Sequence, residues 1–262
     1  MRKSTACLLG VVAAVYAGAA AADNLIIGVA KETSSVDPHW HTLPPNYQIA
    51  DHMFDPLVMK DHRQIHVPAL AQSWKPVDDK VWEFKLRKGI KFHDGTPFTA
   101  DDVLFTHKRA TENKFQGADP GRYQRNKKIT KLDDYTVHIT TGTPYAAMVA
   151  EMSVVPIISK KHGQGLTTAD YNAGKGVIGT GPYKFVEWIS GDRLVMVRND
   201  DYWGGYWGYP QEWDKVTFKP IKSDPSRVAA LLSGDVDFID YVSTTDIGAL
   251  RKNPKVALSE SP

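Results

Sequence analysis

The stretch IKFHDGTPFTADDV, Ile90 to Val103, sets a histidine beside an aspartate, a glycine turn and two further aspartates. A histidine within reach of carboxylates is the equipment of a general base or of a metal site. The same letters also spell a strand turning into a helix. Ile90 and Phe92 finish the strand, and Asp94-Gly95 is turn chemistry. Thr99 with Asp102 makes a T-x-x-D variant of the capping box: the hydroxyl takes an orphan N–H of the first helical turn, and Asp101 and Asp102 favour the positive helix end. Only His93 is then left without a structural task. It also lacks partners for chemistry, because no His-x-x-x-His pair falls on a predicted helix, and there is neither a cysteine cluster nor a Gly-x-Ser-x-Gly elbow.

The remaining candidates are weaker. The chain has nine histidines, several of them early (His39, His41, His52, His62, His66), and HWH would set two on one side of an extended segment. Scattered loop histidines are solvated as a rule, so no metal and no cofactor is expected. Gly179 to Pro182, GTGP, lacks the spacing of a dinucleotide fingerprint or a P-loop and reads as a tight passage of the chain between lobes. DDYWGGYWGYPQEW concentrates aromatic side chains that can stack on a ligand or plug a hydrophobic surface.

These residues need elements to hold them. Leu25 to Ala30, LIIGVA, is a nearly continuous apolar run, the pattern of a strand buried on both faces. The polar, proline-containing KETSSVDPHWHTLPPN then leaves the sheet as a loop, a common place for ligand contacts. Ile49, Ala50, Met53, Phe54 and Leu57 fall at helical spacing over Asn46 to Val58, after a Pro44-Pro45 start. Val81 to Arg87 alternates with Trp82, Phe84 and Leu86 on one face; Tyr135, Val137 and Ile139 alternate likewise, so the two strands are expected in one small sheet with a wet face. Tyr183 to Ile189 and Arg193 to Arg198 flank a Ser-Gly-Asp turn and predict a hairpin. KVTFKPI predicts a strand, and DPSRVAALLSGDVDF a helix followed by a strand. In that helix Asp224 is the expected cap, Pro225 the first helical residue, Val228, Leu231 and Leu232 the apolar stripe, and Gly234 the stop. Helices mixed with hairpins define an α/β or α+β chain.

Composition bounds the function. With 262 residues, 42% hydrophobic and 24% charged, the chain is long enough for one or two globular domains. Arg2 and Lys3 precede an apolar run, Ala6 to Ala22, that ends in small residues, the pattern of a secretory signal cut near Ala22. Removing it leaves 32 − 2 = 30 basic against 30 acidic residues, which argues against a nucleic-acid partner. The single cysteine, Cys7, leaves with the signal, so the expected product is periplasmic and free of disulfides.

Three blocks then stand together: PALAQSWKPVDDKVWEFKLRKGIKFHDGTPFTADDVLFTHKR, IGTGPYKFVEW with NDDYWG, and KVTFKPIKSDPSRVAALLSGDVDFID. In this order and spacing the chain resembles the family 5 extracellular solute-binding proteins of ABC importers, the group of dipeptide, oligopeptide, nickel and glutathione binders. The resemblance implies an α/β, periplasmic-binding-protein-like two-lobe fold, type II with an extra domain. On that pattern residues 1–22 are a signal peptide, 23–51 and 170–262 the two segments of the first lobe, and 52–169 the extra small α/β domain. The second lobe is absent, since family members run to about twice this length. The implied function is a non-enzymatic, monomeric receptor that captures di- or oligopeptides and hands them to the permease subunits. An oligosaccharide, opine or nickel chelate is the alternative cargo, and a secreted hydrolase the remaining rival. Glu32, Thr33, Ser34 and Ser35 match a segment that lines the cleft in relatives; an ordinary strand-to-helix connection is the other reading. Tyr183 and Tyr241 are further candidates near the expected inter-lobe boundary.

Overall fold

The computed structural model of the chain describes residues 23–40, 42–112, 120–204 and 211–259. The signal-like segment, His41 and the middle of the aromatic stretch lie outside the described residues. In chain order the elements are β1 (Asn24–Val29), α1 (Pro44–Met53), β2 (Val58–Lys60), β3 (His66–Pro68), β4 (Ala71–Pro76), β5 (Val81–Leu86), α2 (Ala100–Glu112), β6 (Lys127–Asp133) and β7 (Thr136–Thr141). There follow α3 (Met148–Glu151), α4 (Lys160–Gly163), α5 (Thr168–Asn172), β8 (Tyr183–Ile189), β9 (Arg193–Arg198), β10 (Lys215–Pro220), α6 (Asp224–Ser233), β11 (Phe238–Ile239) and α7 (Thr244–Leu250).

Two sheets organise them. The first has the order β11-β1-β10-β9-β8, with β1 parallel to both β10 and β11, and β9 antiparallel to its neighbours β10 and β8. The second, β4-β5-β7-β6, is wholly antiparallel, and the ribbon β2-β3 stands apart. As the alternation requires, β5 and β7 pair, burying Phe84, Leu86, Val137 and Ile139 on one face and setting Glu83, Lys85 and His138 on the other. The hairpin β8-β9 forms over the expected residues, with Gly191 supplying φ +80° in its turn. At α2, Thr99 Oγ1 accepts from Asp101 N–H (3.3 Å) and the Asp102 carboxylate accepts from Thr99 N–H (2.9 Å), which is the expected cap closed on itself.

Three expectations change. The first helix ends at Met53, because Asp55 precedes Pro56 and is driven toward extended backbone; Phe54 is already extended, and Val58 opens a strand. The cap of α6 is Ser223, whose Oγ accepts from Ser226 N–H, so Asp224 is the first helical residue and Pro225 the second. Nor does α6 bury its apolar stripe: Leu232 is exposed, and the buried residue is Arg227.

The interior divides into two apolar clusters. Ile27, Val29, Ile49, Met53, Phe54, Met196 and Phe218 gather under the first sheet, and Leu57, Leu70, Phe84, Phe98, Val103 and Ile139 under the second. The chain passes between them at Phe54–Leu57 and crosses again at Ile157–Ile158 and at Ile178–Pro182, and the first and last of these passages are fastened together. Gly181 N–H donates to Met53 O (3.0 Å). A Cβ on Gly179 would lie 1.9 Å from Met53 O, so the approach admits only glycine.

Candidate functional site

In sheets with parallel strands, ligands bind outside the carboxyl ends of those strands. Here that edge is made by the exits of β1, β10 and β11: Ala30 to Ser34, Ile221 to Ser223, and Asp240 to Ser243. Pairing carries on just past the strands, where Ile221 N–H donates to Val29 O (2.9 Å) and Asp240 N–H to Gly28 O (3.3 Å). Two carboxylates lengthen the two-residue strand β11: Asp237 accepts from Ile26 N–H (2.8 Å) and Asp240 from Ala30 N–H (2.9 Å). Beyond this the chain frees itself. Among the described residues, the backbone of Lys31, Glu32 and Thr33 makes no hydrogen bond.

The expected site residues separate in this setting. Glu32 sits at the edge, half-buried, with its Oε1 accepting from Trp188 Nε1–H (3.2 Å) and Gly191 N–H (2.8 Å), so it ties the exit of β1 to the hairpin turn. Ser34 is exposed and shares hydrogen bonds with the Asn46 side chain at the start of α1. Thr33 and Ser35 are buried: the Thr33 hydroxyl donates to Ser35 O (2.8 Å) and the Ser35 hydroxyl to Asn172 Oδ1 (2.6 Å). Their hydroxyls are engaged inside the protein. Tyr241, 55% exposed, stands at the exit of β11, beside that of β1. Tyr183 is a correction. It is buried at the start of β8, and since β8 runs in the same direction as β10, the start of β8 lies at the opposite end of the sheet from Tyr241. A pocket behind the edge, lined by Lys31, Glu32, Gln48, Trp188 and Arg193, holds only about 20 Å³, little more than one water.

Several groups that sequence reasoning left aside hold this edge in place. Asp37 receives Arg109 through both oxygens (2.9 and 2.6 Å), the Thr168 hydroxyl (2.7 Å) and His39 N–H (3.0 Å). Burial pushes its carboxyl up, but the Arg109 hydrogen bond and charge outweigh this and hold it below the usual carboxylate range. Arg109 also lies over the Tyr171 ring at 4.5 Å, so the loop after β1 is anchored on α2 and α5. At the double passage, fully buried Asp55 accepts from Thr180 Oγ1–H (2.7 Å), Trp203 Nε1–H (2.8 Å) and Tyr202 O–H (3.3 Å), with burial raising its pKa above the usual value.

His93 has the task that its sequence context concealed. Its Nδ1 accepts from Gly179 N–H (3.2 Å), its Nε2–H donates to Gly181 O (3.0 Å), and its backbone N–H donates to Gly179 O (2.8 Å). Burial lowers its pKa to about 4, against the Gly181 bond, so the ring is neutral at pH 7 and clamps the returning passage. Asp94 turns away to His162 Nε2 (2.6 Å) and Thr96. The stretch that resembled an active site is a joint. Among the described residues no group of three or more metal-ligating side chains occurs.

A lobe that keeps free backbone at the carboxyl ends of parallel strands has the arrangement of α/β proteins of the ligand-binding class. Comparison with known proteins gives that class its family. Residues 66–262 match the profile of bacterial extracellular solute-binding proteins, family 5 Middle, and the chain belongs to this family. It is 31% identical over 260 residues to the glutathione-binding protein GsiB of Pectobacterium atrosepticum, covering 97% of this chain and 49% of that protein. Against the oligopeptide-binding protein AppA of Bacillus subtilis it is 29% identical over 228 residues, 84% of this chain and 41% of AppA. Among solved structures it superposes on Helicobacter pylori DppA in complex with the peptide STSA with a TM-score of 0.74 at 29% identity, covering 89% of this chain and 50% of that one. On Campylobacter jejuni NikZ in complex with Ni(L-His) the TM-score is 0.77 at 25% identity, covering 90% and 46%. The chain thus spans about half the length of the relatives it matches.

Proposed function

We propose that this chain is the first lobe, with its added α/β domain, of a periplasmic receptor that captures di- or oligopeptides and delivers them to an ABC permease. The proposal includes export with removal of residues 1–22, action as a monomer, and no enzymatic turnover. The observation that carries it is the unpaired backbone of Lys31 to Thr33 beside exposed Ser34 and Tyr241. A peptide lying along that edge gains main-chain hydrogen bonds whatever its side chains, the logic of strand addition. The oligopeptide- and dipeptide-binding names of relatives support the peptide class. Every buried member of the second cluster lies between Leu57 and Ile157, which supports reading residues 52–169 as the added domain and residues 23–51 with 170–262 as the lobe, with Met53, Phe54 and Ile158 packing at their junction on the first cluster.

Because one wall binds without its partner, affinity for residues 23–262 alone is expected to be weaker than micromolar, within reach of a backbone amide NMR titration. Millimolar tetrapeptide should shift Lys31 to Ser34, Ile221 to Ser223 and Asp240 to Val242, with β4 to β7 unmoved. Shifts produced there only by an oligosaccharide or by nickel-histidine would replace the peptide reading, and peptide shifts confined to other surfaces would end it.

A further inference from the structure

The cleft edge is formed by the ends of short strands, and β11 contributes only two residues to its ladder. Something must hold these ends once pairing stops. Arg227 does so from behind. It lies on α6, is fully buried, and its guanidinium reaches the exits of two different strands. Nη1–H donates to Ile221 O (2.8 Å), just past β10, while Nε–H (3.3 Å) and Nη2–H (3.0 Å) both donate to Tyr241 O, past β11. Nη2 also meets Asp224 Oδ1 at 2.7 Å, a bridge to a partly exposed carboxylate.

The strand between these two is β1, and the arginine stem packs against its Gly28: a Cβ there would meet Arg227 Cγ in ordinary contact at 3.5 Å, with Ile221 Cδ1 at 3.4 Å and Ile239 Cγ2 closest at 3.2 Å. One side chain therefore crosses under β1 and grips the carbonyls on either side of it. A buried guanidinium is costly unless its donors are used, and here the fork suits two carbonyls that diverge from the sheet. Lysine, a point donor on a flexible stem, cannot hold both in fixed geometry. The last ladder bond before Tyr241 is the 3.3 Å contact of Asp240 N–H with Gly28 O, so Arg227 secures the carbonyl one residue further on.

We propose that Arg227 is the positioning residue of the solute edge: it sets the backbone of Ile221 and Tyr241, and with it the Tyr241 ring, at the spacing an extended solute meets. This rests on the reading of the edge as the solute site. It touches no solute itself; its effect passes through the two carbonyls.

The test is amide hydrogen exchange by NMR on residues 23–262, for Arg227→Met and Arg227→Lys. Arg227→Met should speed exchange of the hydrogen-bonded exit amides, Ile221 and Asp240, by about tenfold or more, the loss of charge-assisted hydrogen bonds that hold their ladder ends. Arg227→Lys should fall between it and the native chain. Amides of β8 and β9, in the same sheet, should keep their native rates in both. A uniform rise across the sheet would mean that Arg227 only stabilises the fold, and unchanged rates at the two exits would mean that it holds nothing; either overturns the proposal. If Arg227→Met fails to fold, the lysine variant gives the same two-way answer. Adding millimolar tetrapeptide separates the two readings. Native exit amides that are protected by peptide but unaffected by substitution refute the positioning role alone. Substitution effects without peptide protection uphold the positioning of the two exits and refute the solute site.

Discussion

Replacing His93 by Gln should reverse sign with pH. Glutamine keeps a donor for Gly181 O and loses the acceptor that Nδ1 offers Gly179 N–H. At pH 7.5 the variant should be destabilised by about 1 kcal/mol, the usual worth of one hydrogen bond. The native ring has its pKa depressed from 6.5 to about 4. The unfolded chain therefore binds a proton below pH 6.5 that the folded chain refuses until about pH 4, and native stability falls as pH drops through that window. With these two values the loss attributable to His93 reaches about 2.5 kcal/mol at pH 4.5. The glutamine variant is spared it and should be the more stable protein there by about 1.5 kcal/mol. Aspartates that also titrate are common to both proteins and cancel in the difference. Urea unfolding of residues 23–262 at half-unit steps from pH 7.5 to 4.5, monitored by tryptophan emission, gives the two curves. A constant difference across that range would refute the assignment of a neutral, buried, clamping histidine.

Two further perturbations address the joints. Gly179→Ala forces a Cβ to within 1.9 Å of the Met53 carbonyl, a backbone atom that cannot swing aside, so the two passages must separate. The expected cost is several kcal/mol, read as a lowered urea midpoint and as new proteolytic cleavage near Met53 or Gly181. Asp37→Asn leaves Arg109 buried without its carboxylate and should cost about 3 to 5 kcal/mol in urea unfolding at pH 7. A midpoint within error of the native chain would mean that the loop after β1 is anchored by packing alone.

The elements carried by local pattern were legible in the sequence. Alternation located β5 and β7, the Ser-Gly-Asp turn located the β8-β9 hairpin, and the T-x-x-D box located the start of α2. What escaped was decided by distant partners. Nothing near His93 says that its ring will meet Gly179 and Gly181, 86 and 88 residues away. Ser35 looks like a loop hydroxyl until Asn172, 137 residues on, takes it. The stripe of α6 misled for a related reason: helical periodicity ranks Val228 and Leu231 as inward, yet two strand-end carbonyls draw the charged residue inside. Of the candidate site, the loop after β1 was readable as a place, while which of its side chains face outward was not. Tyr183 and Tyr241 look equivalent in sequence, and only strand direction puts them at opposite ends of the sheet.

Strand β1 has a consequence for the order in which the molecule is made. Its partners lie far down the chain, with Asp23 meeting Asp214 across 191 residues and Ile26 meeting Asp237 across 211. Between them the second sheet pairs over short separations, with β4, β5, β6 and β7 all inside residues 71–141. Local contacts close early and distant ones late. A growing chain thus folds its interior portion while LIIGV waits as an unpaired apolar strand until β10 and β11 emerge. The site appears last, because the three strand ends that define it are the last to meet.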